Sequence, residues 1–238
     1  MIAERDPNLA MLRLAAEKLT PLLDEIAFLG GCATGLLITD PSAAPVRGTL
    51  DIDVVVEAAT YAEYTVLEGR LREIGFRERH EDNVICRWFS EDLIVDVMPT
   101  EAKILGFTNR WYAAALRMAQ WIDIGSARVR VITAPYFLAT KLEAFYGRGN
   151  GDYLGSRDVE DIIALVDGRP EIANDVHSSD PELGAYLRAQ FTKLLDNRDF
   201  IDAVPGHLLP DEASQQRRDL VMNRLRHIAT MPGYKGRR

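Results

Sequence analysis

Apolar residues recur at helical spacing from Leu9 through Leu12, Leu14, Ala15, Leu19, Leu22, Leu23 and Ile26, with Asp6 in capping position and Pro7 at the first helical position. The pattern predicts an amphipathic helix. It leads into IAFLGG, which reads as a short buried strand interrupted by two glycines, with Cys32–Ile38 as a helix packed behind it. Pro41 and Pro45 then mark a loop. Leu50–Glu57 is rich in Val and Ile and reads as a strand, and Tyr61–Ile74 has helical character that stops at Gly75. Val84–Phe89 and Leu93–Met98 read as two strands joined by the turn Ser90–Asp92; Trp111–Trp121 reads as helix and Arg128–Thr133 as a late strand.

Beyond Ala134–Pro135 the alternating patterns stop. Tyr136–Tyr146, Asp158–Val166, Pro181–Leu195 and Asp211–Ile228 all carry the helical period, separated by Gly, Pro and Asn. The expectation is an α+β chain: a mixed sheet with helices over residues 1–134, then an all-helical half over 135–238. At 47% hydrophobic residues, 238 residues suffice for a real core. The longest apolar runs fall well short of the ~20 residues of a membrane helix, and Glu4, Arg5 and Asp6 stand where a signal peptide would be apolar. A cytoplasmic protein with no membrane partner is expected. Cys32 and Cys86 lack both disulfide and zinc spacing, the four histidines are scattered, and Trp88, Trp111 and Trp121 read as core or interface residues.

Against this background two acids stand out. Asp51 and Asp53 sit on one face of the apolar strand LDIDVVVE, their Cβ atoms roughly 6.5–7 Å apart. Asp96 is a lone acid in a second apolar strand, LIVDVMPT. Uncompensated, such a trio repels itself and raises its own pKa values; divalent cations remove that penalty. Carboxylates holding one or two divalent cations suit in-line nucleotidyl transfer, in which an acceptor hydroxyl attacks a nucleoside triphosphate. Gly30 and Gly31, at a strand-to-helix turn, let backbone N–H groups approach a phosphate. An Asp-x-Asp on a solvated strand edge is the commoner meaning of each piece alone; the conjunction carries the argument. Gly30 and Gly35 also fit the first and third positions of a dinucleotide-binding fingerprint, but Cys32 fills the middle position, where a side chain blocks the pyrophosphate.

The stretch FLGG followed by RGTLDID resembles the first motif of the DNA polymerase β-like nucleotidyltransferase superfamily. The later segment ATKLEAFYGRGNGDYLGSRDVEDIIALVDGR is similar to the AbiEii/AbiGii-type toxin branch of that superfamily. The resemblance covers roughly residues 25–170 and implies a nucleotidyltransferase-like fold for the first half. It implies Asp51 and Asp53 as magnesium ligands and Asp96 as third carboxylate, either ligand or general base. Gly30 and Gly31 would hold the triphosphate of the donor NTP, Lys141 would reach its phosphates, and Asp158, with Asp161 less directly, would form a second catalytic motif. Arg47 and Thr49 flank the metal strand and either touch phosphate or cap the loop. Two departures concern the nucleotide: the usual Gly-Ser is Gly30-Gly31-Cys32, and nineteen residues separate Gly31 from Asp51.

The toxin likeness implies RNA, tRNA included, as acceptor and a cognate antitoxin as partner. A net charge of −8 argues against indiscriminate nucleic-acid binding. From Arg217 onward, however, seven basic residues stand against Asp219 alone, a local +6 that leaves about −14 for the rest. That segment is either a phosphate contact or a solvated tail. A small hydroxylated acceptor such as an aminoglycoside suits the acidic body, and a non-catalytic nucleotide-binding or interaction module is the reading from another class.

Overall fold

A computed structural model of the chain describes residues 6–79, 84–91, 93–125 and 127–232. It divides into two compact units, Met1–Leu36 with Arg47–Thr133 and Leu37–Val46 with Ala134–Arg238. The division after Thr133 coincides with the loss of strand pattern, but Leu37–Val46 groups with the helices.

The first unit opens with α1 (Leu9–Lys18), which buries Leu9, Leu12, Ala15 and Ala16. The predicted helix through Ile26 stops early. A 3₁₀ turn over Thr20–Leu22 carries Pro21, whose missing N–H cannot continue the helical ladder. Next come β1 (Ile26–Leu29), α2 (Gly30–Leu37), β2 (Ile52–Val56) and α3 (Tyr61–Glu73). The glycine pair therefore forms the first turn of α2 rather than the end of the strand. A capping box fixes the start of α3: Glu63 N donates to Thr60 Oγ1 at 3.2 Å, while Thr60 N donates to Glu63 Oε2 at 3.2 Å.

The remaining elements are β3 (Arg87–Ser90), β4 (Leu93–Pro99), α4 (Ala102–Leu105), α5 (Tyr112–Arg117), β5 (Gln120–Asp123) and β6 (Arg128–Val131). The single helix expected over Trp111–Trp121 is thus cut to α5, and Trp121 lies in β5. Pairing with β6 overrides the helical period there: Trp121 stands opposite Arg130 and Ile122 opposite Val129. Trp88 and Trp111 are buried, whereas Trp121 is 41% exposed at the sheet edge.

Six strands form one mixed sheet in the order β3-β4-β2-β1-β6-β5. β2 runs parallel to β4 and antiparallel to β1, which runs parallel to β6. Central strands of this kind are covered on both faces, so their sequences read as continuous apolar runs. Ile52, Val54, Val55 and Val56 are all buried accordingly.

The second unit contains α6 (Ala134–Arg148), α7 (Arg157–Gly168), α8 (Ile172–His177), α9 (Pro181–Leu195), α10 (Arg198–Ala203), α11 (Glu212–Gln216) and α12 (Arg218–Thr230). Its core joins Leu183, Leu187 and Phe191 of α9 with Val221, Leu225 and Ile228 of α12. The one helix expected over Asp211–Ile228 is two, divided at Arg217. Leu37–Val46 is tied here by Thr39 N and Asp40 N, which donate to Gly168 O at 3.0 and 2.9 Å.

Candidate active site

In the first unit the predicted residues gather at the head of β2. Asn8, 1% exposed, holds the segment entering the strand: its Nδ2 donates to Arg47 O at 3.1 Å and its Oδ1 accepts from Thr49 N at 2.9 Å. Thr49 Oγ1 in turn donates to Asp51 Oδ1 at 2.8 Å. Thr49 is thereby placed as a positioning group for Asp51, and Arg47 enters this network through its carbonyl.

Sheet register arranges the acids. Asp53 of β2 pairs with Asp96 of β4, and Asp96 pairs with Arg87 of β3, so the three side chains leave one face of the sheet. Asp51, two residues before Asp53, leaves the same face. Gly30 completes the group. It has φ +69°, and a Cβ there would overlap the Asp53 carboxyl, so only a glycine lets the turn and the carboxylate share this space. Gly31 follows, buried in the first turn of α2.

Arg87, which the sequence pattern does not single out, joins the acids. Its guanidinium forks onto Asp96, Nε to Oδ1 and Nη2 to Oδ2, both at 2.8 Å, and Nη2 also reaches Asp51 Oδ2 at 2.8 Å. The acids are therefore not bare: a resident cation bridges two of them. Among the described residues no three His, Cys, Asp or Glu side chains are gathered so as to hold a metal ion. Asp51, Asp53 and Asp96 are the side chains on this sheet face that could hold a hard divalent cation such as magnesium, because carboxylate oxygens are its preferred donors. Neighbouring Cys86 senses this charge. Burial first, then the negative charges of Asp96 and Asp53, push its thiol up to about 12, which removes it as a nucleophile at neutral pH.

Lys141 and Asp158 belong to the second unit. Lys141 lies on the buried face of α6, its side chain 8% exposed, with Nζ 2.6 Å from Asp161 Oδ2 and 3.3 Å from Asp158 Oδ1. A snorkelling lysine would reach water; this one is taken up by two carboxylates of α7. Arg148 adds a fork to Asp158, Nε to Oδ2 at 3.0 Å and Nη2 to Oδ1 at 2.9 Å. Burial acts to raise the Asp158 pKa, but the Arg148 hydrogen bonds and the Lys141 charge outweigh it, and the carboxyl sits below its ordinary 3.8.

The basic C-terminal segment is partly internal. Arg217 pairs with Asp167 at 2.7 Å and Asp40 at 2.9 Å, and Arg224 donates to the carbonyls of Val166 and Asp167. Arg218 and Arg226 are exposed, while Lys235, Arg237 and Arg238, like His80, lie outside the described residues.

No family model matches the chain, and no curated protein matches it. Among solved structures it is similar to an antigenic nucleotidyltransferase-like protein from Paracoccidioides brasiliensis, with TM-score 0.49 and 20% identity over 84% of this chain and 93% of that one. It is also similar to JHP933 from Helicobacter pylori, with TM-score 0.45 and 14% identity over 96% and 90% of the two chains.

Proposed function

We propose that the chain is a magnesium-dependent nucleotidyltransferase that moves a nucleoside monophosphate from an NTP to an acceptor hydroxyl, breaking the α–β phosphoanhydride bond and releasing pyrophosphate. The observation that carries this reading is the register: Asp53 and Asp96 face each other on adjacent parallel strands, with Asp51 two residues upstream and the bare backbone of Gly30 against Asp53. Asp51 and Asp53 would hold the metal. Bound there, it would lower the pKa of the acceptor hydroxyl and balance charge on the triphosphate. The chain's own contributions are distinct. Asn8 and Thr49 would orient Asp51, the backbone N–H groups of Gly30 and Gly31 would meet the phosphates, and Asp96, gripped by Arg87, would accept the acceptor's proton or complete the ligand set.

The sequence likeness to the AbiEii/AbiGii branch supports RNA, tRNA included, as acceptor and a cognate antitoxin as partner; Lys141 and Asp158 enter through the same likeness. A small hydroxylated acceptor is the competing substrate. The test is transfer of α-labelled NMP from each of the four NTPs, with magnesium, to total RNA, purified tRNA and a panel of aminoglycosides. Label is expected on one acceptor class and lost in Asp53→Asn, whose thermal stability should be unchanged or higher because one like charge is gone. Binding of NTP without labelling of any acceptor would instead favour a non-catalytic nucleotide-binding module.

A further inference from the structure

Arg87 is unexpected in the apolar run ICRWF, and its contacts divide unequally. Asp96 is held by two parallel bonds, in the geometry that makes guanidinium–carboxylate pairs strong. Asp51 receives a single bond from Nη2 and is the more exposed partner, its side chain 31% exposed against 10% for Asp96. A single, partly solvated contact is the weaker of the two. Meanwhile Asp51 Oδ1 is fixed from the other side by Thr49. Only Oδ2 can change partner without rearranging the strand entry, and Oδ2 is the atom that Arg87 touches.

We propose that Arg87 is a built-in competitor for the divalent cation: it holds Asp51 and Asp96 together when no ion is present, and loading requires Nη2 to release Asp51 while the fork on Asp96 stays. This rests on the metal-dependent reading above and adds to it a residue that sets cation affinity. The resident charge serves two ends. It relieves the repulsion that three acids on one sheet face would create in the ion-free protein, and it weakens ion binding, since a unit positive charge beside the site opposes a second cation. Asp96, still forked, keeps one orientation in both states.

The test is Mn²⁺ binding to the full chain, read by electron paramagnetic resonance of the free ion and by the rise in melting temperature on ion addition. Arg87→Gln should bind Mn²⁺ about tenfold more tightly than the parent, as expected for removing a charge a few ångströms away in a partly solvated site. Its ion-free melting temperature should fall and its ion-induced rise should exceed that of the parent, because binding to the folded state stabilises it in proportion to affinity. Arg87→Lys keeps the charge but cannot bridge both carboxylates, so an intermediate affinity is expected; it decides the matter if the glutamine variant does not fold. A parent that binds Mn²⁺ with variants equal or weaker would overturn the competitor role and leave the metal site standing. A parent and variants that all fail to bind, with Asp53→Asn indistinguishable from them, would overturn the metal-dependent reading itself.

Discussion

Gly30 shows how one residue type can be fixed by two independent demands. Its backbone lies at φ +69°, where an L side chain costs about 1–2 kcal/mol, and its missing Cβ makes room for the Asp53 carboxyl. Gly30→Ala should therefore lose at least ~1 kcal/mol of stability and should also displace Asp53, so Mn²⁺ affinity falls with the melting temperature. A variant of reduced stability with unaltered ion binding would separate the turn from the carboxylate. At this scale the sequence was informative about charges of one sign only. Asp51, Asp53 and Asp96 announce themselves as acids in apolar strands, but their compensating partner, Arg87, becomes visible only when β3 is laid antiparallel against β4. Nothing in the spacing of ICRWF specifies that register. Asn8 was hidden for a similar reason: it sits beside a helix start, where an asparagine is an ordinary cap, yet its side chain holds Arg47 and Thr49, about forty residues on.

Elements are legible where period and caps agree, and local pattern misleads where tertiary pairing overrides it. Pro181–Leu195, with Asp180 as cap and Pro181 at the first position, is helical over the bounds its pattern predicts. Trp111–Trp121 is not, because β5 gains a ladder of hydrogen bonds with β6 that no local signal reports. The basic C-terminal segment illustrates the same limit. Its charge count reads as a solvated tail or a phosphate contact, whereas α12 buries Val221, Leu225 and Ile228 and its neighbour Arg217 bridges Asp40 and Asp167. Removing the segment would expose that core, so it cannot serve as a clean test of RNA binding. Arg217→Ala should cost on the order of 3 kcal/mol by leaving Asp167 buried without its partner, visible as a lowered urea midpoint. Replacing the exposed Arg218 and Arg226 by Ala should change stability by no more than about 0.5 kcal/mol. If these two touch RNA phosphate, the same pair of changes should reduce the salt slope of binding by about 0.7 per lost contact; an unchanged slope would place the RNA contact elsewhere.

For the whole molecule, the two units should respond differently to acid. Asp40 is held down to about 2, first by its Ser42 hydrogen bond and then by Arg217, and Asp158 is lowered by Arg148 and Lys141 against the opposing effect of burial. A carboxyl whose pKa is depressed on folding contributes stability above its ordinary 3.8 that is lost as pH falls toward the folded value. For Asp40 that window runs from 3.8 to about 2. Both groups belong to the second unit. In the first unit burial raises the Asp6 pKa, so its contribution has the opposite sign: it is present below 3.8 and lost as pH rises through the raised value. Glu25 is lowered there by Arg70, but that pair is half-exposed and screened by solvent. All three tryptophans, Trp88, Trp111 and Trp121, lie in the first unit, whereas most of the helix lies in the second, so fluorescence reports the first unit and far-ultraviolet circular dichroism is weighted toward the second. Between about pH 7 and about pH 3 the melt followed by far-ultraviolet circular dichroism should move to lower temperature ahead of the melt followed by tryptophan fluorescence, because the second unit loses its paired carboxylates first. Coincident melts at every pH would mean that the units unfold as one cooperative body and that these ion pairs do not govern acid stability.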